Sequence, residues 1–205
     1  MVPDDDENVQ TMHTRQYDCW METTLGTFEV TGDKLLVTDP CYERGTWCAG
    51  VVKNVRPGTW VGVVRYSDEG LWGTRVRQVE AHYIGSNPSD SGWTMQQFDV
   101  GVDSGQAGIF DEARYPNGEP GEYGDASTFY GRACEATLGR DDEESTRRRG
   151  NVISEGVVVS SGYGDGSYVC EAFDGADGKV VAVRITFIGD DEEYDGEDYE
   201  EDDDE

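Results

Sequence analysis

The stretch "KVVAVRITFIG" at residues 179–189 carries the clearest structural signal in the chain. Its apolar residues recur at every second position, which is the period of a β-strand with one buried face. These positions are Val181, Val183, Ile185 and Phe187. The preceding "DGADG" at 174–178 is typical of a turn, and "SYVCEAF" at 167–173 predicts the strand before it. The C-terminal part of the chain is therefore expected to be β-sheet.

Strand patterns continue towards the N-terminus. We expect one hairpin from residues 26–32 and 34–40, and a second from residues 50–55 and 59–66. Further strands are predicted at 74–84, 93–103, 107–111 and 151–162. The apolar residues of 74–84 change face near Gln78, which indicates a β-bulge.

One helix is predicted at about 125–139, within "DASTFYGRACEATLG". Its stripe consists of Tyr130, Ala133, Cys134, Thr137 and Leu138, which have helical spacing. Asp125 or Ser127 can cap its start and Gly139 its end. About ten short strands and one packed helix predict a mainly β fold, either a β-sandwich or a half-open barrel.

Acidic residues dominate the composition. The 205 residues include 44 acidic and 16 basic side chains, with a net charge of −28. Residues 1–10 are expected to form a disordered acidic lead, 11–189 a single β-rich domain and 190–205 a disordered acidic tail. The acid excess and the scarcity of lysine favour a halophilic source, with a GC-rich genome as the alternative.

The charge and hydropathy pattern excludes several classes of protein. Direct binding to nucleic acid is disfavoured because phosphate contacts need clustered Lys and Arg. The N-terminus lacks the features of a signal peptide, and no segment is long and apolar enough for a membrane span. We therefore expect a protein made in the cytoplasm, without a membrane partner.

Five cysteines are an odd number, so a complete disulfide framework is not expected. They are interpreted as small buried thiols. A zinc site would need Cys41, Cys48, Cys134 and Cys170, but no CxxC spacing is present. Cys41 could also form a redox pair with Cys48, or act as a nucleophile with His82 as its base.

Two glycine-bearing bends are candidate ligand sites. The first lies in "GVDSGQAGIFD" at 101–111, where Ser104, Gly105, Gln106 and Asp111 can face a ligand. The second lies in "SGYGDGSYVC" at 161–170, where glycines let a ligand approach the backbone. Its candidate residues are Tyr163, Gly164, Gly166 and Tyr168. We expect the two bends to lie on one rim of the sheet-built body, although each could instead be a self-satisfied turn.

Four stretches in this order, "LLVTDPCY…GTWC", "GVDSGQAGIFD", "FYGRAC" and "SGYGDGSYVCEAFDGADGKVVAVRITFI", resemble domain-of-unknown-function family four-two-four-one of phages and bacteria. The resemblance covers about residues 30–189. It implies no reaction. The positions it implies as typical of the family are Asp39, Cys41, Asp103, Ser104, Gly105, Gln106, Asp111, Asp165, Gly166 and Tyr168. The acid load and the tail depart from the family and suggest an archaeal or haloviral setting.

Three functions follow as hypotheses. The first is a binding or accessory module, phage- or halovirus-encoded, that recognises a small molecule or a host protein through the glycine-rich bends. The second is a metal-dependent hydrolase with catalytic candidates Asp39, Cys41, Asp103 and Asp165. No cofactor is expected unless Asp103, Asp111 and Asp165 converge, in which case they would hold Mg²⁺ or Ca²⁺. The third is a structural protein of a virion.

Overall fold

The computed structural model describes residues 21–138 and 149–189. These residues form eleven β-strands, one α-helix and a short 3-10 helix at Gly70–Trp72. The strands are β1 (Met21–Val30), β2 (Lys34–Thr38), β3 (Gly50–Lys53), β4 (Gly58–Asp68), β5 (Thr74–Tyr83), β6 (Trp93–Val102), β7 (Gln106–Asp111), β8 (Gly150–Ile153), β9 (Gly156–Ser160), β10 (Gly166–Asp174) and β11 (Val180–Thr186); the helix is α1 (Phe129–Leu138). The predictions for residues 1–10, 190–205 and Gly139 lie outside the described residues.

The strands form a β-sandwich of two antiparallel sheets. One sheet has six strands in the order β1-β4-β5-β11-β10-β6, and the other has five in the order β3-β2-β7-β9-β8. A buried apolar core lies between them and draws on both sheets, with Trp60, Val64 and Ile185 from one and Ile109 and Val159 from the other. The predicted mainly β fold is confirmed, as the sandwich rather than the barrel.

Strand β11 lies in the middle of the six-stranded sheet, paired with β5 on one side and β10 on the other. Val183, Ile185 and Phe187 belong to the core, as their alternation predicts. Val181 is also buried, as predicted. A register shift opposite Phe173 and Asp174 leaves Val181 without a partner on β10, and Val180 joins the central core cluster as well.

The bulge expected in β5 is confirmed. Arg65 pairs with Gln78 and Tyr66 pairs with Val76, so Arg77 has no opposite residue on β4. The freed carbonyl oxygen of Arg77 accepts the backbone N–H groups of Phe187 at 2.8 Å and Ile188 at 3.2 Å. The bulge therefore fixes the chain where it leaves β11.

The two N-terminal hairpins are wrong predictions. Strand β1 pairs with β4 in the six-stranded sheet, whereas β2 pairs with β3 and β7 in the other. The chain thus crosses between the sheets after β1 and again after β3. Two backbone hydrogen bonds of 2.9 Å hold the second crossing. The Val55 N–H donates to the Asp33 carbonyl, and the Arg56 N–H donates to the Val180 carbonyl. These long-range bonds replace the local turn bonds of a hairpin.

Helix α1 packs on the outer face of the five-stranded sheet as a third layer. The rings of Phe110, Tyr115 and Phe129 meet there with centroids 4.8–5.4 Å apart. The helix starts later than predicted, and the Thr128 hydroxyl, not Asp125 or Ser127, accepts the Gly131 N–H at 3.0 Å. Leu138 is exposed although the stripe predicted it buried.

Candidate functional site

The bend at residues 103–105 is held by a carboxylate from a distant part of the chain. Asp39 follows β2, and its side chain is fully buried. Its Oδ2 accepts the backbone N–H groups of Asp103 at 2.9 Å and Ser104 at 2.7 Å. Its Oδ1 accepts the Ser104 hydroxyl at 2.7 Å and the Cys41 N–H at 2.8 Å. Asp39, a catalytic candidate from the sequence, therefore joins two of the motifs into one structural unit.

The two glycine-bearing bends lie side by side, as expected. The Ser161 N–H donates to the Gly105 carbonyl at 3.0 Å, and Gly166 pairs with Val102 across β10 and β6. Gly105 has a φ of 69°, a left-handed conformation that favours glycine. The structure thus brings Ser104, Gly105 and the 161–166 loop to one rim of the sandwich.

The thiol of Cys41 is partly exposed beside Asp39. Burial, and then the negative charge of Asp39, raises the pKa of this thiol from 9.0 to about 12. The hypothesis that Cys41 is a nucleophile needs a thiolate, whereas this environment favours the protonated thiol. His82, the base in that reading, directs its Nδ1 to Glu80 Oε1 at 2.9 Å on the outer face of the six-stranded sheet.

Gln106 begins β7 and turns its side chain towards α1. Its Nε2 contacts the Cys134 Sγ at 3.5 Å. Its Oε1 has no hydrogen-bond partner among the described residues, and the side chain is only 7% exposed. Tyr130 lies one helical turn before Cys134, and burial and then the Cys134 thiol raise the pKa of its phenol to about 12. Neutral hydrogen-bonding groups therefore surround an unpaired buried amide oxygen.

The other predicted site residues, Asp111, Asp165 and Tyr168, lie apart from one another. Asp111 is fully buried where the chain crosses between the sheets, and its Oδ2 accepts the Thr31 N–H at 2.9 Å. Asp165 is exposed in the 161–166 loop. The Tyr168 hydroxyl donates to the Gly164 carbonyl at 2.7 Å, and its ring packs edge-on against Phe187 at 5.0 Å. Tyr168 thus fixes the loop from the core side.

The carboxylates and thiols of the described residues do not form a metal-binding cluster. Across residues 21–138 and 149–189, no group of three or more His, Cys, Asp or Glu side chains could hold a metal ion. The carboxylates proposed as ligands instead bond to the backbone or face outward. The hydrolase hypothesis stays a prediction.

Two exposed apolar residues beside the second bend were missed. Leu71 and Trp72 form the tip of the β4–β5 connection, and Leu71 is fully exposed while Trp72 is 68% exposed. The Trp72 ring lies edge-on to Tyr163 with centroids 6.4 Å apart. The sequence signal was "EGLWG" at 69–73, a leucine and a tryptophan between two glycines.

A polar groove lies on the outer face of the six-stranded sheet, with a volume of about 670 Å³. The Arg184 guanidinium lies 4.2 Å from the Trp93 ring centroid and bonds Glu171 at 2.7 Å. Arg65 bonds Glu80 at 2.9 Å in the floor of the groove. The sequence predicted polar strand faces but not this arrangement, because it depends on which strands are neighbours.

Glu80 makes the groove a source of pH-dependent stability. Burial alone would raise the pKa of its carboxyl, but the His82 hydrogen bond and the Arg65 charge outweigh burial and lower it below 4.5. Because the folded pKa is the lower one, the stabilisation is present above about pH 4.5 and is lost as the pH falls through the folded value.

We therefore expect Glu80→Gln to lose about 1–3 kcal/mol near neutral pH. The loss should shrink once the pH lies below the folded pKa of Glu80, since the wild-type carboxyl is then protonated too. Urea unfolding of both proteins across this range measures the difference. An equal loss at neutral and acidic pH would show that the charge of Glu80 is not what stabilises the fold.

In the described part of the chain no helix is long and apolar enough to cross a membrane. Comparison with known proteins gave no relatives: no family model, curated protein or solved structure matches the chain. The resemblance to domain-of-unknown-function family four-two-four-one stays a prediction from the motifs. The function has to be argued from the chemistry of the described surface.

Proposed function

We propose that this protein is a binding module that recognises a partner protein through an exposed aromatic surface beside the second glycine-rich bend. The surface, here the LWY patch, consists of Leu71, Trp72 and Tyr163. The observation that carries the proposal is that these three large side chains are exposed together, with Tyr163 still 50% exposed. Isolated exposed apolar residues are ordinary, but a cluster of them is typical of an interaction site.

The patch is held in place before any partner arrives. The Tyr163 hydroxyl donates to Glu69 Oε2 at 2.7 Å, and the Arg75 guanidinium lies 5.8 Å from the Tyr163 ring centroid. The loop that carries Tyr163 is closed by a hydrogen bond of 2.7 Å, which the Ser161 hydroxyl donates to the Gly164 carbonyl. Side chains that are already ordered lose less conformational entropy on binding, so this arrangement favours affinity.

The composition and charge of the surface define the partner. Trp, Tyr and Arg are the residues that most often dominate the free energy of protein association. The chain carries a net charge of −28, which repels acidic partners and attracts basic ones. The expected partner has an apolar cleft for Trp72 and Leu71, with basic side chains around it.

The patch can be tested with a double variant, Leu71→Ser/Trp72→Ser. The wild-type protein and the variant are immobilised and exposed to extract of the native host cells, and the retained proteins are quantified by mass spectrometry. We expect a basic protein retained by the wild type and lost with the variant. With that protein purified, we expect its Kd to rise by about 30-fold or more in the variant, the effect of losing one hot-spot residue.

Trp47→Ser is the matched control, because Trp47 is 93% exposed but lies in the β2–β3 connection. It should retain the same partner with a Kd within about twofold of the wild type, as for a surface residue outside a hot spot. Equal retention by the wild type and the double variant would refute the proposal. Concentration-dependent dimerisation that the double variant abolishes would also refute it, since the patch would then bind a second copy of the chain.

The small-molecule branch of the binding hypothesis has no support from the patch, whose three side chains are exposed. The virion hypothesis stays a prediction, as does the phage or haloviral origin.

A further inference from the structure

The polar groove on the outer face of the six-stranded sheet has features that the LWY patch does not explain. Strand pairing places its side chains in two rows that run across the strands, because directly opposite residues of antiparallel strands share a face. The first row consists of Glu22, Arg65, Gln78 and Thr186, and the second of Glu80, Arg184 and Glu171. At about 4.8 Å per strand, the two rows together cover about 19 Å from β1 to β10.

The lining of the groove is almost balanced in charge, although the chain is strongly acidic. Three arginines and four carboxylates line it, whereas the whole chain has 16 basic and 44 acidic residues. Two of the arginines are neutralised within the protein. Arg65 Nε donates to Glu22 Oε2 at 2.8 Å, and Arg184 Nε donates to Glu171 Oε2 at 2.7 Å. A charged ligand would gain little net attraction here and would lose its hydration, so the groove favours a neutral ligand.

These two ion pairs still have donors and acceptors to offer. Neither Nη group of Arg184, nor Arg65 Nη2, donates a hydrogen bond to another residue of 21–138 or 149–189. Within the same ranges, Glu22 Oε1 and Glu171 Oε1 accept no hydrogen bond. The side chains of Arg184 and Glu171 are only 21% and 20% exposed. A hydroxyl group both donates and accepts, so neighbouring hydroxyls of one ligand can bind the arginine and the carboxylate of the same pair.

The groove is ordered before a ligand arrives. The Arg184 guanidinium lies 4.2 Å from the Trp93 ring centroid, and the Trp93 indole N–H donates to the Ser89 carbonyl at 2.9 Å. Groups that are already fixed lose less conformational entropy on binding. The volume of about 670 Å³ is that of an ordinary small-molecule site, but such sites are mostly apolar. The polar lining therefore selects a polar ligand.

We propose that the groove binds a neutral oligosaccharide that lies across the strands. Its hydroxyls would donate to Glu22 and Glu171 and accept from Arg65 and Arg184. A sugar chain carries many neighbouring hydroxyls and no net charge, and its length suits a row of polar groups that crosses several strands. The proposal goes beyond the protein partner proposed above and does not depend on it, because Leu71, Trp72 and Tyr163 are not among the residues that line the groove.

Calorimetric titration of the full-length protein with hexasaccharides tests the ligand class. The neutral probes are the hexasaccharides of glucose, mannose, xylose and N-acetylglucosamine, and the charged probes are those of glucosamine and galacturonate. We expect at least one neutral probe to bind, with a Kd that changes by less than about twofold between low and high salt, since salt screens only charges. Binding by no neutral probe, or tighter binding of a charged probe that high salt abolishes, would overturn the proposal.

Arg184→Met tests the place of binding. Methionine removes the guanidinium donors but keeps an unbranched side chain beside Trp93. The Kd of the neutral hexasaccharide should rise by about 10-fold or more, the effect of losing a hydrogen bond to a charged group. Arg56→Met is the matched control, because Arg56 also bonds a carboxylate, Asp177 at 2.7 Å, and lies 5.1 Å from the Tyr83 ring centroid. It lies outside the groove and should leave the Kd unchanged. Equal Kd values for the two variants would refute the groove as the site.

Glu22→Ala provides a second variant that leaves the core intact, because Glu22 is exposed at the end of the groove. It removes one acceptor and should raise the Kd by about 3- to 10-fold, the usual effect of one lost hydrogen bond. An unchanged Kd would contradict the proposed position of the chain across the strands. The neutral peptide Gly-Ser-Gly-Ser-Gly-Ser is the control for the ligand class. If it binds as tightly as the hexasaccharide, the groove accepts any polar chain and the assignment to a sugar is wrong.

Discussion

An Asp39→Ala protein is expected to lose about 3–5 kcal/mol of its free energy of unfolding, more than we expect from any other single substitution proposed for this chain. The Asp39 carboxylate accepts four hydrogen bonds, three of them from backbone N–H groups. Without it, the N–H groups of Cys41, Asp103 and Ser104 would be left without that partner. Each such group costs about 1–3 kcal/mol when it stays buried, and partial entry of water limits the sum.

Asp165→Ala is the matched control for this measurement. Asp165 is an exposed aspartate on the neighbouring bend, so its removal should change stability by less than about 0.5 kcal/mol. Urea unfolding followed by far-ultraviolet circular dichroism gives both values. If Asp39→Ala costs no more than Asp165→Ala, the carboxylate does not hold the two motifs together and the account of the rim is wrong.

Asp111→Ala should have the second largest effect, about 2–4 kcal/mol. Its Oδ2 accepts the Thr31 N–H at 2.9 Å and the Thr31 hydroxyl at 2.6 Å, and its Oδ1 accepts the Ala113 N–H at 3.3 Å. Thr31 is the residue at which the chain leaves one sheet for the other. Loss of the carboxylate therefore removes the bonds that hold the first crossing, and it leaves a cavity where the fully buried Asp111 side chain was.

A double-mutant cycle with Thr31→Val isolates the hydroxyl contact in this crossing. Thr31→Val removes the hydroxyl but keeps the backbone N–H bond, so alone it should cost about 1–2 kcal/mol. In the Asp111→Ala background the same change should cost much less, with a coupling of about 1 kcal/mol or more. Additive losses in the cycle would mean that Thr31 and Asp111 stabilise the fold independently.

The sequence predicted most strands because alternation is a local property of residues that share one buried face. It could not predict their partners. The segments 26–32 and 34–40 look like a hairpin, with glycine and aspartate between them, yet they enter different sheets. The deciding contacts come from Asp111, 80 residues away from Thr31, and no local pattern reports such a contact.

For the candidate site too, the sequence predicted some features and not others. The expectation that the two glycine-bearing bends meet is confirmed by the Ser161–Gly105 hydrogen bond. The role of Asp39 was missed because a strand-end aspartate looks the same in sequence whether it binds a metal or a backbone. Leu71 and Trp72 were missed because an apolar pair in a turn is usually expected to fold inward, and only the structure shows it facing outward.

The central place of β11 has a consequence for biosynthesis. Strands β1, β4 and β5 can pair as soon as they leave the ribosome, and β6 can pair with β10 later. The strand that joins these two parts is the last of the eleven described strands to be translated. Until it arrives, β5 and β10 each present an unsatisfied inner edge, which is a site for pairing with other nascent chains. Pairing of the described strands of the six-stranded sheet is therefore completed by one late insertion, and a chaperone that shields strand edges would act before it.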